Sequence, residues 1–284
     1  MGVKGVIVAA GYGTRFLPVT RCLPKEMLPL VDRPAIDFIL QEMTEAGIEE
    51  LLVITSRRKK VLEDWFDRDP ELEAVFEREG AQEKLRKIKP PQVHVEFVRQ
   101  REMKGTGHAL SLARNFAGSD PVVVAYPDVL FAAPNCSAEL IKAWQSSGCS
   151  VLSCSDCSGW DLSRYGVLDV QERDGHLRVR SIVEKPERGT EPSALVSWGR
   201  YLYTPAFFEL VEEGLKSHVD GEYDHTHALN VLAARGQVVA VQSQGERFDT
   251  GSPLGYVKAF VRHALEREDM GEELRAWLTE FMQR

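Results

Sequence analysis

Apolar and polar positions follow different rhythms in the two halves of the chain. Val3 to Ala10 form a nearly unbroken apolar, β-branched run closed by Gly11, the pattern of a strand buried on both faces. Ile36, Ile39, Leu40 and Met43 then recur at helical spacing, and Gly47 stands where that helix should end. "LLVIT" from Leu51 predicts the next strand, and charged helical sequence runs from Arg57 to Lys89 with breaks at Pro70 and Gly80. "VHVEFV" from Val93 alternates as a strand, Thr106 to Arg114 reads as a helix, and "PVVVAYPD" from Pro121 is another buried strand ending on an aspartate. Strands and helices taken in turn predict a parallel sheet with helices on both faces.

The second half changes style. Val167 to Val183 hold two alternating segments around "RDGH", a hairpin signal. "YLYTP" from Tyr201 ends a further strand, "QVVAVQ" is another, and two amphipathic helices follow. No repeat, low-complexity tract or long Ser/Gly linker separates the halves, so one interleaved domain is expected over residues 1–284. The hairpin is expected to form a small lobe facing the first half across a cleft.

Composition narrows the possible functions. Hydrophobic content of 43% and charged content of 27% are ordinary for a soluble globular protein. A net charge of −8 argues against general nucleic-acid binding, and no apolar run reaches membrane-spanning length. The start lacks a basic, apolar and small-residue cleavage pattern, so a cytoplasmic setting is expected. Five cysteines, an odd number, suit reduced thiols. Cys154 and Cys157, with Cys149 upstream, open a zinc or redox reading, but no second pair or histidine cluster completes such a site.

The candidate chemistry begins at Gly11-Tyr12-Gly13. Bare backbone after a first strand lets amide N–H groups approach phosphate oxygens. A dinucleotide fingerprint would need glycine where Phe16 stands and a helix that Pro18 and Pro24 forbid. A Walker-type loop would need Gly-Lys-Ser/Thr, which is missing. Arg15 and Lys25 are two cations on loops leaving one strand end, an arrangement that suits a triphosphate. On Gly11 to Arg15 alone, a tight turn with an exposed arginine is an equal alternative; Lys25 shifts the balance toward phosphate binding.

The longer stretch "AAGYGTRFLPVTRCLPKEMLPLVDRP" resembles the signature of sugar-1-phosphate nucleotidyltransferases. The resemblance recurs in order as "VRQ…KGTGHAL", "YPD", "YGVLD", "VEKP", "GRY" and "FDTGSPLGY". It implies a Rossmann-like three-layer α/β/α fold with a mixed, mostly parallel central sheet and a small β-hairpin lobe on the sugar side. The nucleotide-binding half would span about 1–130, and the sugar-binding half with the C-terminal helices about 131–284. The implied reaction is Mg²⁺-dependent transfer of a uridylyl group from UTP to glucose 1-phosphate. Another sugar or cyclitol phosphate, dTTP or GTP, and a non-enzymatic nucleotide-sugar-binding regulator stand as alternatives.

By resemblance, Ala10, Gly11, Gly13, Thr14, Arg15 and Lys25 meet the nucleotide, with Gln100 and Gly105 at the base. Gly166, Glu184, Lys185 and Ser197 meet the sugar phosphate, and Asp128 and Asp249 hold the metal. Arg15, Lys25, Asp128 and Lys185 are the implied catalytic set. A glutamine amide can accept from uracil N3–H and donate to O4, and guanine and thymine offer the same pattern. His108, Trp160, Trp198 and Tyr201 are expected to pack or cap. A homodimer or homotetramer is implied, with no nucleic-acid or membrane partner, and the stretch Glu272 to Met282 is expected to pack on the core or on another subunit.

Two departures touch the sugar side. The family's Ser-Asn reads Ser193-Ala194, and Trp198 brings a large ring beside the expected sugar pocket. "GEYDHTH" replaces a different family segment, and its Asp224, His225 and His227 open a second metal reading. These changes put the identity of the sugar in question while leaving the transfer chemistry intact.

Overall fold

The first apolar run is strand β1 (Lys4–Val8) in a computed structural model that describes residues 2–284. Single 3₁₀ turns follow at Thr14–Phe16, Val19–Arg21 and Lys25–Met27, because the prolines between them prevent a longer helix. A two-stranded ribbon, β2 (Pro29–Leu30) and β3 (Arg33–Pro34), leads into helix α1 (Ala35–Glu45). Next come β4 (Glu50–Thr55), α2 (Lys60–Phe66), α3 (Pro70–Glu79), α4 (Gln82–Lys87) and β5 (His94–Arg99). Pro70 opens α3, and Gly80 closes it in a left-handed conformation at φ 64°. The helix expected from Thr106 to Arg114 divides into α5 (Gly105–Ser111) and α6 (Arg114–Ala117). Strand β6 (Val122–Ala125) stops short of Asp128, which lies in the turn to β7 (Val129–Phe131).

The second half contributes α7 (Cys136–Ser147), β8 (Ser150–Asp156), β9 (Gly166–Arg173), β10 (His176–Glu184) and β11 (Leu195–Tyr203). It continues with α8 (Pro205–Ser217), α9 (Thr226–Ala234), β12 (Val238–Gln242), β13 (Arg247–Asp249), α10 (Pro253–Glu266) and α11 (Gly271–Met282).

Nine strands from both halves form one mixed sheet in the order β5-β4-β1-β6-β11-β8-β12-β10-β9. Pairing is parallel from β5 through β6 and again between β8 and β12. It is antiparallel where β11 enters and along the β9–β10 hairpin. Successive residues of β1 face opposite layers: Val6 packs into the core that holds Phe207, Leu229 and Leu232, Ile7 into the core that holds Ile36, Ile39 and Leu140. Each such side chain contributes roughly 1.5–3 kcal/mol by leaving water, which explains why the run is apolar without alternation.

The hairpin turns at Asp174 and Gly175, both at positive φ (55° and 73°), as a two-residue turn between twisted strands requires. It joins the main sheet through β12 at Leu177 and Arg178, and β9 curls back to pair Val167 with Val196 of β11. No helix among the described residues is long and apolar enough to cross a membrane.

Candidate active site

The loop after β1 lies at the carboxyl ends of the parallel strands. A Cβ on Gly11 would meet no protein atom within 4 Å, so the bare position faces open space. Gly13 is needed for a different reason: it turns the chain at φ 67°, and Thr20 Oγ1 donates to its carbonyl at 2.8 Å. Ala10 is buried, while Thr14 and Arg15 are exposed, and Arg15 Nη1 reaches the Gly251 carbonyl at 3.4 Å. Lys25 Nζ donates to Asp128 Oδ2 at 2.6 Å.

Two residues missed in the sequence hold this loop. Glu26 is fully buried, and both of its oxygens accept from Lys59 Nζ at 2.8 Å. The same ammonium donates to the Ala9 carbonyl, so one buried pair fastens the Lys25 turn to the end of β1. Burial pushes the Lys59 pKa down and outweighs the opposing pull of Glu26. A charge among apolar residues in "PKEMLP" was the available signal; Lys59 was hidden in the basic run "RRKK".

The carboxylates of Asp128 and Asp249 face one another. Strands β7 and β13 pair so that Asp249 lies opposite Val129, the neighbour of Asp128. A Cβ on Gly251 would come 2.9 Å from Asp128 Oδ2 and 3.1 Å from Asp249 Oδ1, so one point touches both carboxylates and only glycine fits there. Burial raises the Asp128 pKa, but Lys25, by charge and hydrogen bond, and Arg15 more than offset it, and the carboxyl is held below its ordinary range. No group of three or more His, Cys, Asp or Glu residues able to hold a metal gathers among the described residues. Two carboxylates do suit a hard cation whose remaining positions are taken by phosphate and water oxygens.

Gln100 departs from its expected role. It is 4% exposed, and its Nε2 lies 3.1 Å from the Gly105 carbonyl and 3.1 Å from His108 Nδ1. A carbonyl only accepts, so the amide nitrogen is committed inside the protein and Oε1 alone remains to meet a base. His108 thus orients Gln100. Gly105 is forced by packing: at φ 89°, its Cβ would fall 2.6 Å from the Tyr223 carbonyl. Tyr223 N donates to Lys104 O, and Gly107 N donates to Tyr223 O, both at 2.9 Å. Ala10, Gly11, Lys25, Gln100, Gly105 and Asp128 share a cleft of about 210 Å³. A groove of about 650 Å³ beside Arg33 and Lys89 holds none of them.

The sugar-side residues form a second group. Gly166 pairs with Glu184, and a Cβ on Gly166 would sit 2.9 Å from Glu184 Oε2. Burial, then Asp224, raises the Glu184 pKa. Lys185 follows at φ 49°, its N–H donates to Tyr165 O at 3.0 Å, and its side chain is 68% exposed. Ser197 Oγ donates to Tyr201 OH at 3.2 Å. No hydrogen bond or ion pair among the described residues joins Gly166, Glu184 or Lys185 to Arg15, Lys25 or Asp128. His225 bridges toward the first group, with Nδ1 2.8 Å from Thr106 Oγ1 and 3.5 Å from Tyr126 OH. Asp224 accepts from Thr226 N at 2.8 Å, opening α9, and with His225 it forms no metal cluster. Cys154 and Cys157 are both pushed up by burial, Cys154 to about 12, so both thiols stay protonated near neutrality.

Trp198 packs, at 6% exposure. Strand alternation puts it on the face opposite Ser197 and Tyr201, in a cluster with Leu162, Tyr165 and Val196. Arg247 lies over its ring, 3.3 Å from the centroid. Trp160, expected to pack, is 53% exposed, at the edge of this cluster.

A mixed α/β sheet with a glycine-turn loop, two cations and paired carboxylates at its strand ends defines a phosphate-handling transferase, and the chain belongs to the nucleotidyl transferase family, whose sequence profile matches residues 4–265. Among its relatives, the UTP–glucose-1-phosphate uridylyltransferase of Staphylococcus epidermidis is 37% identical, covering 97% of this chain and 96% of that protein. UTP–glucose-1-phosphate uridylyltransferase 2 of Staphylococcus saprophyticus is 39% identical, covering 95% of each. The UTP-bound UGPase of Acinetobacter baumannii superposes with a TM-score of 0.89 at 34% identity, covering 99% of each chain.

Proposed function

We propose that this chain transfers a uridylyl group from UTP to glucose 1-phosphate, giving UDP-glucose and pyrophosphate. The observation that carries the reading is the meeting of Asp128 and Asp249 around one point, beside Lys25 and the bare Gly11 turn. The names of the relatives support uracil and glucose over the alternatives.

A phosphate oxygen of the sugar phosphate attacks the α-phosphorus of UTP, and the bond from that phosphorus to the α,β-bridging oxygen breaks in line, releasing pyrophosphate. The nucleophile is already an anion, so no general base is needed; the protein's task is alignment and charge stabilisation. Arg15 and Lys25 face the triphosphate, and the amides around Gly11 hold its oxygens. Gln100 Oε1 accepts from uracil N3–H. Glu184 accepts from sugar hydroxyls, Gly166 leaves room for them, Ser197 lines the same side, and Lys185 pairs with the sugar's phosphate. Asp128 and Asp249 would hold Mg²⁺, which when bound supplies positive charge between the two polyanions.

In this reading residues 1–130 handle the nucleotide and 131–284 the sugar within one domain, an arrangement supported by a sheet that draws strands from both. A cytoplasmic homodimer or homotetramer completes it. The stacked rings of Trp277 and Phe281 on α11, more than half exposed, are apolar surface that a second copy would cover. The test is pyrophosphate release across a panel of nucleoside triphosphates and sugar 1-phosphates. UTP with glucose 1-phosphate should give the highest kcat/KM; release only with another pair, or with none, would refute the assignment.

A further inference from the structure

We infer that Arg247, braced by Trp198, binds the phosphate of the acceptor substrate, a role that deepens the reading above and rests on it. The guanidinium lies face-on over the Trp198 indole at 3.3 Å from its centroid, with Trp160 at 5.9 Å. Stacking covers the flat face of an arginine and leaves its edge donors free. Among the described residues Arg247 Nη1 is buried without a hydrogen-bond partner, and so is Nε1 of Trp198, itself only 6% exposed. The contrast is Arg200, fully buried but paired with Glu42 at 2.6 Å.

Among the described residues no carboxylate comes within ion-pair distance of Arg247; Asp249 acts on it only through its charge, and an indole face alone compensates little of the cost of taking a guanidinium out of water. A bidentate phosphate is the group that matches a free guanidinium edge. The position is also suitable. Asp249 follows two residues later on the same face of β13. On the other side, Tyr165 lies 5.2 Å from Trp198, ring to ring, and its carbonyl accepts from Lys185 N–H. The stack therefore joins the strand that carries a metal-side carboxylate to the turn that carries the acceptor-side lysine. A phosphomonoester held by Lys185 has Arg247 as its second cation, and Trp198 is a positioning residue that acts through Arg247.

The experiment compares wild type with Arg247→Met, Arg247→Gln and Trp198→Leu by steady-state kinetics and by titration of glucose 1-phosphate and inorganic phosphate in calorimetry. Arg247→Met should raise KM for glucose 1-phosphate about tenfold or more while KM for UTP stays within about twofold. Trp198→Leu should move the same parameter by a smaller factor. Phosphate binding should weaken in parallel. If Arg247→Met does not fold, Arg247→Gln decides the question by the same criteria. Unchanged KM for glucose 1-phosphate, or equal weakening for both substrates, overturns the proposal and leaves Arg247 a packing residue. If wild type makes no UDP-glucose, the functional reading fails. The inorganic phosphate titration then decides for Arg247: weaker binding in the variant upholds an anion site, and equal binding overturns it.

Discussion

The two groups of residues proposed to meet the nucleotide and the sugar phosphate are built on opposite plans. Around the nucleotide loop nearly every polar group is tied to another part of the protein: Lys25 to Asp128, Glu26 to Lys59, Gln100 to Gly105 and His108, Thr20 to Gly13. On the sugar side Lys185 has only Glu184 nearby, at 4.0 Å, and projects into solvent, while Arg247 is stacked but leaves Nη1 unpartnered. The difference teaches where specificity can change. A side braced by internal bonds keeps its shape when one residue changes, until a bond is left half-made; a side with free donors answers directly to the ligand.

The comparison can be tested hardest at its shared edge. Asp249→Asn should lower kcat by about 10² to 10³, the range for loss of one charge-stabilising group, with the fold retained by circular dichroism. Full activity in that variant would break the pairing with Asp128. Next in size is the brace itself. Lys59→Met leaves Glu26 charged and buried, and should cost roughly 3–5 kcal/mol in urea unfolding; adding Glu26→Gln should recover much of the loss. A Lys59→Met protein as stable as wild type would show that the nucleotide side is not braced as described. On the free side, Lys185→Ala should raise KM for the sugar phosphate by about tenfold while leaving stability unchanged within about 0.5 kcal/mol.

The smallest effect is with pH. Asp128 has a carboxyl pKa held below the unfolded value of about 3.9. Its stabilising contribution is complete above that value and disappears as pH falls through the lower folded value. Asp128→Asn should therefore lose stability relative to wild type at neutral pH, and the gap should narrow as pH falls below the unfolded value of about 3.9. A gap that widens on acidification would contradict the assigned direction.

Much of the frame was legible in the sequence. The buried parallel strands showed as apolar runs because both faces of β1, β4 and β6 are covered, and Asp174-Gly175 marked the hairpin because positive φ demands such residues. The features that escaped are those without a period. Strands β7 and β13 hold three residues each, too few for any pattern, yet they bring Asp249 to Asp128. Resemblance gave both aspartates; the spacing could not say that they meet. Trp198 packs, as its apolar bulk suggests, but the residue stacked on it, Arg247, lies about fifty positions away in the chain, and no local pattern links the two. Lys59 reads as solvated in any charged run, since only tertiary structure shows which lysine turns inward.

The interlock of Tyr223 with Gly105 and Gly107 has a consequence for how such an enzyme could change its substrate. The segment 222–227 supplies both the backbone that clamps Gly105 and Gly107 and, at His225, a ring that meets Thr106 on one side and Tyr201 on the other. In the proposed reading, donor choice and acceptor choice thus share one piece of backbone and are not separately adjustable modules. On that reading, a lineage that rewrote this segment to accept a new sugar would shift the loop of Gly105 and Gly107 in the same step.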